Sequence, residues 1–116
     1  MHELSLACRV VELVEDTLRK HGGSSVRAIE MAIGELSGVD HDAFRYSLQM
    51  VLARSPFPEA RIEINRVRPV ALCGDCGTDF VPATLYTPCP RCGSYVSRLV
   101  SGREFRLVSV TIEEDK

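Results

Sequence analysis

The 116 residues are 45% hydrophobic and 26% charged, with a formal net charge of −2. A chain of this length holds one domain, or one domain with a small appended module, and its core is modest enough that a structural metal would add useful stability. The charge balance lacks the basic excess of a dedicated nucleic-acid binder, no run of about 18 apolar residues offers a membrane span, and no basic stretch followed by an apolar one suggests a secretory signal. A cytoplasmic protein without a nucleic-acid or membrane partner is expected.

Residues 3–21 carry apolar side chains at helical spacing: Leu4, Ala7, Cys8, Val11, Val14 and Leu18. Glu3 at one end and Arg19, Lys20 and His21 at the other suit the helix dipole, and Gly22-Gly23 ends the segment. Cys8 on this stripe reads as a buried core thiol. Residues 25–36 alternate as a strand, with Ile29, Met31 and Ile33 on one face and Ala28, Glu30, Ala32 and Gly34 on the other. Residues 37–40 form a turn. Asp40 is a good N-cap for a second helix over about 41–54, with Phe44, Leu48, Val51 and Leu52 as its apolar stripe. The prolines of 55–60 break that helix, and 61–67 alternates again through Ile62 and Ile64.

Periodicity fades over 70–98 and returns in 105–114, where Val108, Val110 and Ile112 share a face. The order predicts an α+β fold: a small two-layer domain of two helices on a three-stranded sheet, with an inserted module. The domain takes residues 1–69 plus 100–116 and the module takes 70–99.

Four of the five cysteines lie in that module, as Cys73-Gly-Asp-Cys76-Gly and Cys89-Pro-Arg-Cys92-Gly. Two intervening residues let a tight turn bring both sulfurs of a pair onto one ion. The glycine after each second cysteine permits the positive φ that turns amides toward sulfur. Two such knuckles predict a tetrahedral thiolate site of zinc-ribbon type. Tetrahedral S₄ suits zinc or iron, and CPRCG also resembles a rubredoxin knuckle, so an iron electron carrier competes. The chain has no Trp and most of it lies outside the module, which favours zinc. No histidine falls in 70–98. A closed four-cysteine site offers substrate no open position, so its role is structural rather than catalytic.

The chain opens Met1-His2-Glu3. A free Met1 α-amine, the His2 amide and imidazole, and the Glu3 amide would offer nitrogens in a plane, the field that Ni(II) or Cu(II) prefers. The plain alternative is a surface histidine near a terminus. No Ser-His-Asp order, P-loop or HExxH is present, and no enzyme is expected. A zinc-ribbon module binding protein or nucleic acid is a further reading, although the ribbon offers only Arg91 and Arg98 against Asp75 and Asp79.

Taken together, MHELSLA at the start, IGELSGVD at 33–40, the CGDC and CPRC knuckles and SGREFRLVSVTIEE at 101–114 resemble the HypA/HybF family of hydrogenase-maturation nickel metallochaperones. The resemblance spans essentially the whole chain in order. It implies a nickel-binding α+β domain joined to a zinc ribbon, with Ni²⁺ as cargo and Zn²⁺ as structural ion. It implies nickel held by Met1, His2 and Glu3, with Asp40 a further candidate beside its N-cap reading, and zinc held by Cys73, Cys76, Cys89 and Cys92. Delivery would be to the large subunit of a [NiFe] hydrogenase, or in some organisms toward urease, with a HypB-type GTPase as partner. The carrier would be a monomer or a weak homodimer.

Overall fold

A computed structural model of the protein describes residues 2–114. Its elements are α1 (His2–His21), β1 (Ser25–Gly34), α2 (His41–Ala53), β2 (Arg61–Val67), β3 (Val70–Cys73), β4 (Asp79–Phe80), β5 (Ser97–Ser101) and β6 (Phe105–Glu113). They build an α+β fold with two three-stranded sheets, ordered β2-β1-β6 and β4-β3-β5.

The chain divides into two compact units. The second comprises Ile33–Gly38 with Arg66–Phe105, and the first comprises the remainder. In the first unit α1 buries Ala7, Val10, Val11 and Val14. That face is rotated slightly from the one the spacing suggests. Cys8 falls at its edge and is exposed, which corrects its reading as a core thiol. It lines a groove with Leu4 and Val11 of α1 and Met50 and Val51 of α2. α2 buries Phe44, Leu48 and Leu52, and also Ser47. The broken segment after it supplies a further core side chain. Phe57, between two prolines, is only 2% exposed. Its amide donates to Ser55 Oγ at 3.1 Å, and that hydroxyl donates to Leu52 O at 2.7 Å.

β1 is the central strand of its sheet, and both of its faces carry buried residues: Ile29 and Met31 on one, Ala28 and Ala32 on the other. β6 runs antiparallel to it, since Ser24 N–H donates to Glu113 O and Gly34 N–H donates to Glu104 O. The inward alternation of β6 slips by one position. Leu107 and Val110 are half-buried, while Val108 and Ser109 between them are exposed. Val108 is thus exposed where Val110 and Ile112 are half-buried. Glu30 ties the three strands together. Its carboxylate accepts from Asn65 Nδ2 of β2 at 2.7 Å and from Ser109 Oγ of β6 at 2.9 Å. Those bonds, Asn65 foremost, hold its carboxyl below the ordinary value of 4.5.

The second unit has a small core: Ala71, Cys73, Phe80 and Cys89, with Leu99 packed against it. β3 pairs antiparallel with β4 and with β5. The segment Ile33–Gly38 clusters here because its backbone bonds go to this unit. Glu35 N–H donates to Val67 O at 3.0 Å and Leu36 N–H to Gly102 O at 2.8 Å. Gly34 lies so close that a methyl group on it would land on the Gly102 carbonyl.

Two outcomes follow from this packing. Gly34→Ala forces a methyl group into backbone and should cost about 1–3 kcal/mol of stability, read as a lowered urea midpoint. For Glu30, a folded pKa below the unfolded one contributes stability above pH 4.5, and that contribution is lost as pH falls through the depressed folded value. The gap in melting temperature between the native chain and Glu30→Gln should hold steady near neutral pH and close below pH 4.5.

Candidate metal centres

The two knuckles repeat one backbone pattern. Cys73 N–H donates to Thr78 O and Cys89 N–H to Ser94 O, at 3.0 and 2.9 Å. Gly77 N–H returns to Cys73 O and Gly93 N–H to Cys89 O, at 3.1 and 2.8 Å. Each return bond needs the left-handed conformation that an L side chain rarely adopts, and the glycines take it with φ of 76° and 78°. In the first knuckle the amides of Asp75 and Cys76 point at Cys73 Sγ, both at 3.4 Å.

This backbone brings all four sulfurs within 4.8 Å of one another. Cys73 Sγ lies 3.6 Å from Cys92 Sγ, and Cys76 Sγ lies 3.7 Å from Cys89 Sγ. A tetrahedral ion with metal–sulfur bonds of about 2.3 Å separates its sulfurs by roughly 3.8 Å. The thiols therefore fit one tetrahedral ion and lie too far apart for disulfides, whose sulfurs are about 2.05 Å apart. Cys73 and Cys89 are buried, and Cys76 and Cys92 are exposed.

The local electrostatics point the same way. Cys76 is drawn down from 9.0 to about 6, first by the Thr78 hydroxyl and then by the Thr78 amide. Cys73 is lowered by the amides of Cys76 and Asp75. Cys92 receives the Ser94 amide, which favours its thiolate, yet Cys73, burial and the other two sulfurs together push it up to about 12. Four sulfurs this close cannot all ionise alone. A dication at their centre removes that repulsion.

Four supporting residues escape a reading based on cysteine spacing. Thr78 Oγ1 lies 3.2 Å from Cys76 Sγ, and Arg91 of the other knuckle donates to Thr78 Oγ1 at 3.4 Å. Ser94, the equivalent of Thr78 in the second knuckle, gives its hydroxyl to Asp75 Oδ2 instead. The signal available in the sequence was position: Thr78 and Ser94 each stand two residues after the second cysteine of a pair.

Among the described residues, the four cysteines are the one group of three or more histidine, cysteine or acidic side chains whose ligand atoms converge. At the N-terminal end, Met1 lies outside the described residues. His2 begins α1, and its exposed imidazole Nδ1 lies 3.7 Å from Glu3 Oε2. That oxygen also accepts the Asp40 amide at 3.2 Å. The Asp40 amide foremost, then the amide of Glu3 itself, hold the Glu3 carboxyl below 4.5. Asp40 thus meets Glu3 through its backbone. Its own carboxylate is engaged as the N-cap of α2, Oδ1 accepting from Ala43 N–H at 3.0 Å. The side chains of His2, Glu3 and Asp40 do not converge as three ligands. The amides of the first helical turn have no acceptor within the helix.

The family model for HypA, described as hydrogenase/urease nickel incorporation metallochaperone, matches residues 1–112. A hydrogenase maturation factor HypA of Parabacteroides distasonis is 38% identical over 115 residues, spanning 99% of this chain and 100% of the relative. The one from Geobacter sulfurreducens is 37% identical over 97% of this chain and 100% of its own. Among solved structures, the solution structure of the Ni metallochaperone HypA from Helicobacter pylori superposes with a TM-score of 0.68 at 25% identity, covering 97% of this chain and 98% of that one. Another solution structure of a HypA protein gives 0.72 at 26% identity, over 99% and 98%.

Asp40 separates into two testable roles. Asp40→Ala removes the cap and should cost about 1 kcal/mol of stability, whereas Asp40→Asn keeps an accepting oxygen and should cost almost none. Paired thermal melts of the two variants read the difference.

Proposed function

The chain belongs to the HypA family of nickel-incorporation metallochaperones, maturation factors rather than enzymes, and on that premise we propose that it carries Ni(II) on its N-terminus for [NiFe] hydrogenase maturation. Met1 would give its α-amine, His2 its amide and imidazole, and Glu3 its amide, in a planar nitrogen field. The observation that supports this most directly is the start of α1 at His2. First-turn amides have no helical acceptors, so His2 and Glu3 can lose amide protons to a metal without breaking any helical bond. Glu3 adds a carboxylate beside the imidazole. Asp40 supports that carboxylate through its amide, and its own side chain serves α2 as a cap.

Cys73, Cys76, Cys89 and Cys92 would hold Zn²⁺. A closed tetrathiolate supplies no open coordination position, so the ion staples the second unit and takes no part in transfer. Cargo and staple thereby use different chemistry: dismantlable nitrogen donors at a chain end, against sulfurs organised by two rigid knuckles. Delivery is to the hydrogenase large subunit, with a HypB-type GTPase as partner. The cytoplasm is the compartment in which such thiols stay reduced.

The test is calorimetric nickel titration of protein with its native N-terminus beside His2→Ala, with zinc quantified in both. His2→Ala should lose nickel binding and keep one zinc per chain; equal nickel binding in both would overturn the reading. The pH dependence has a defined sign. The amine, with an ordinary pKa of about 7.7–8.0, and the amides must all release protons to bind, so nickel affinity should fall as pH drops below about 8. Asp40→Asn should leave nickel affinity intact if Asp40 acts through its backbone.

A further inference from the structure

We propose that β6 is a self-pairing edge, through which two copies of the chain join their β2-β1-β6 sheets into one continuous sheet. The inference goes beyond the proposed function and rests on neither metal reading. Each three-stranded sheet leaves two edge strands, and an edge carries N–H and C=O groups that no neighbouring strand engages. Three of these edges are poorly suited to pairing. β2 sets Arg61, Glu63 and Arg66 along its seven residues. β4 is two residues long, and β5 breaks register against β3 between Val70 and Ala71. β6 differs from all three. It runs for nine residues without a proline, and its stretch 107–112, Leu-Val-Ser-Val-Thr-Ile, is uncharged and rich in β-branched side chains. Val108, within that stretch, is 38% exposed. An edge so long and so free of charge is a template for a further strand.

The occupant is a second copy because β6 is electrically complementary to itself. Arg106 stands at one end of the uncharged stretch, and Glu113 and Glu114 stand at the other. Antiparallel pairing of two β6 strands about their middle brings Arg106 of each copy to the acidic end of the other, so a two-fold axis makes the contact twice. Parallel pairing would lay like charges side by side. Glu113 Oε1 already lies 3.9 Å from Arg27 Nε of its own chain, which leaves exposed Glu114 as the main partner for Arg106. One strand from each side buries less than the roughly 1,200–2,000 Å² of a stable complex, so the pair forms at micromolar concentrations and above and comes apart on dilution.

The experiment is sedimentation velocity on the full chain from micromolar to millimolar concentration, with a reductant present because exposed Cys8 could otherwise bridge copies. The native chain should shift from monomer to dimer as concentration rises. Arg106→Glu and Glu114→Arg both change exposed positions, and folding of each is checked by circular dichroism. Each should weaken the dimer about tenfold, because like charges then meet at both symmetry-related contacts. An equimolar mixture of the two variants should recover native strength, since each chain then meets its complement at both ends. Val108→Lys, which puts a charge inside the uncharged stretch, should abolish the dimer. Hydrogen exchange locates the contact: amides of β6 should gain protection with concentration. A chain that stays monomeric throughout, a dimer that neither charge change weakens, a mixture no tighter than its components, or protection gained on the groove between α1 and α2 instead of on β6 overturns the proposal.

Discussion

The constraint on which the second unit depends is the meeting of four sulfurs at one point. Its apolar core is too small to stand alone: two of the four buried residues at its centre are themselves cysteines, and Phe80 is the only large one. What the core lacks in buried area, the knuckles supply in geometry. Gly77 and Gly93 let each turn close on itself, the paired amide bonds set the sulfur positions, and β3 and β5 carry the turns on a common sheet. The other features of the unit are arranged around that point, including the clasps between Arg91 and Thr78 and between Ser94 and Asp75.

The first unit is held differently. Its core is ordinary, built from the buried faces of α1, α2 and β1 and closed by Phe57. Its metal chemistry, as proposed, sits at the end of the chain, where backbone groups are unspent. The two strategies match the two tasks of a carrier. A staple should never let go, so its donors are fixed by the fold. A cargo site must open, and the donors proposed for it come from a helical turn whose amides have no helical acceptors to give up.

Much of this was legible in the sequence, and the successes share a cause. α1, β1, α2, β2 and β6 announce themselves through local periodicity, and the knuckles through spacing within a few residues. Asp40 as a cap is equally local. The misreadings are those where a distant neighbour decides. Cys8 lies on a helical stripe that reads as core, but the buried face is set by what α1 packs against, and Cys8 ends up at the rim of a groove. Val108 alternates with Val110 and Ile112, yet it is exposed where they are half-buried. Phe57 hides in a segment whose prolines read only as a break. The inequivalence of Thr78 and Ser94 was out of reach for the same reason: the two stand in the same place in each repeat, and only the opposite knuckle distinguishes them.

The hydrogen bond between the Glu3 carboxylate and the Asp40 amide also bears on how such a carrier could let go of its cargo. That amide belongs to the cap residue of α2, where the helix presents its positive pole, so the carboxylate already has a counter-charge when no metal is near. Any ion that recruits Glu3 must compete with this standing partner, and when the ion departs the carboxylate returns to a prepared berth instead of to bare solvent. A ligand with somewhere to go lowers the barrier to unloading and moderates the affinity of the loaded state. Tight capture would favour an unattached carboxylate; exchange favours this one.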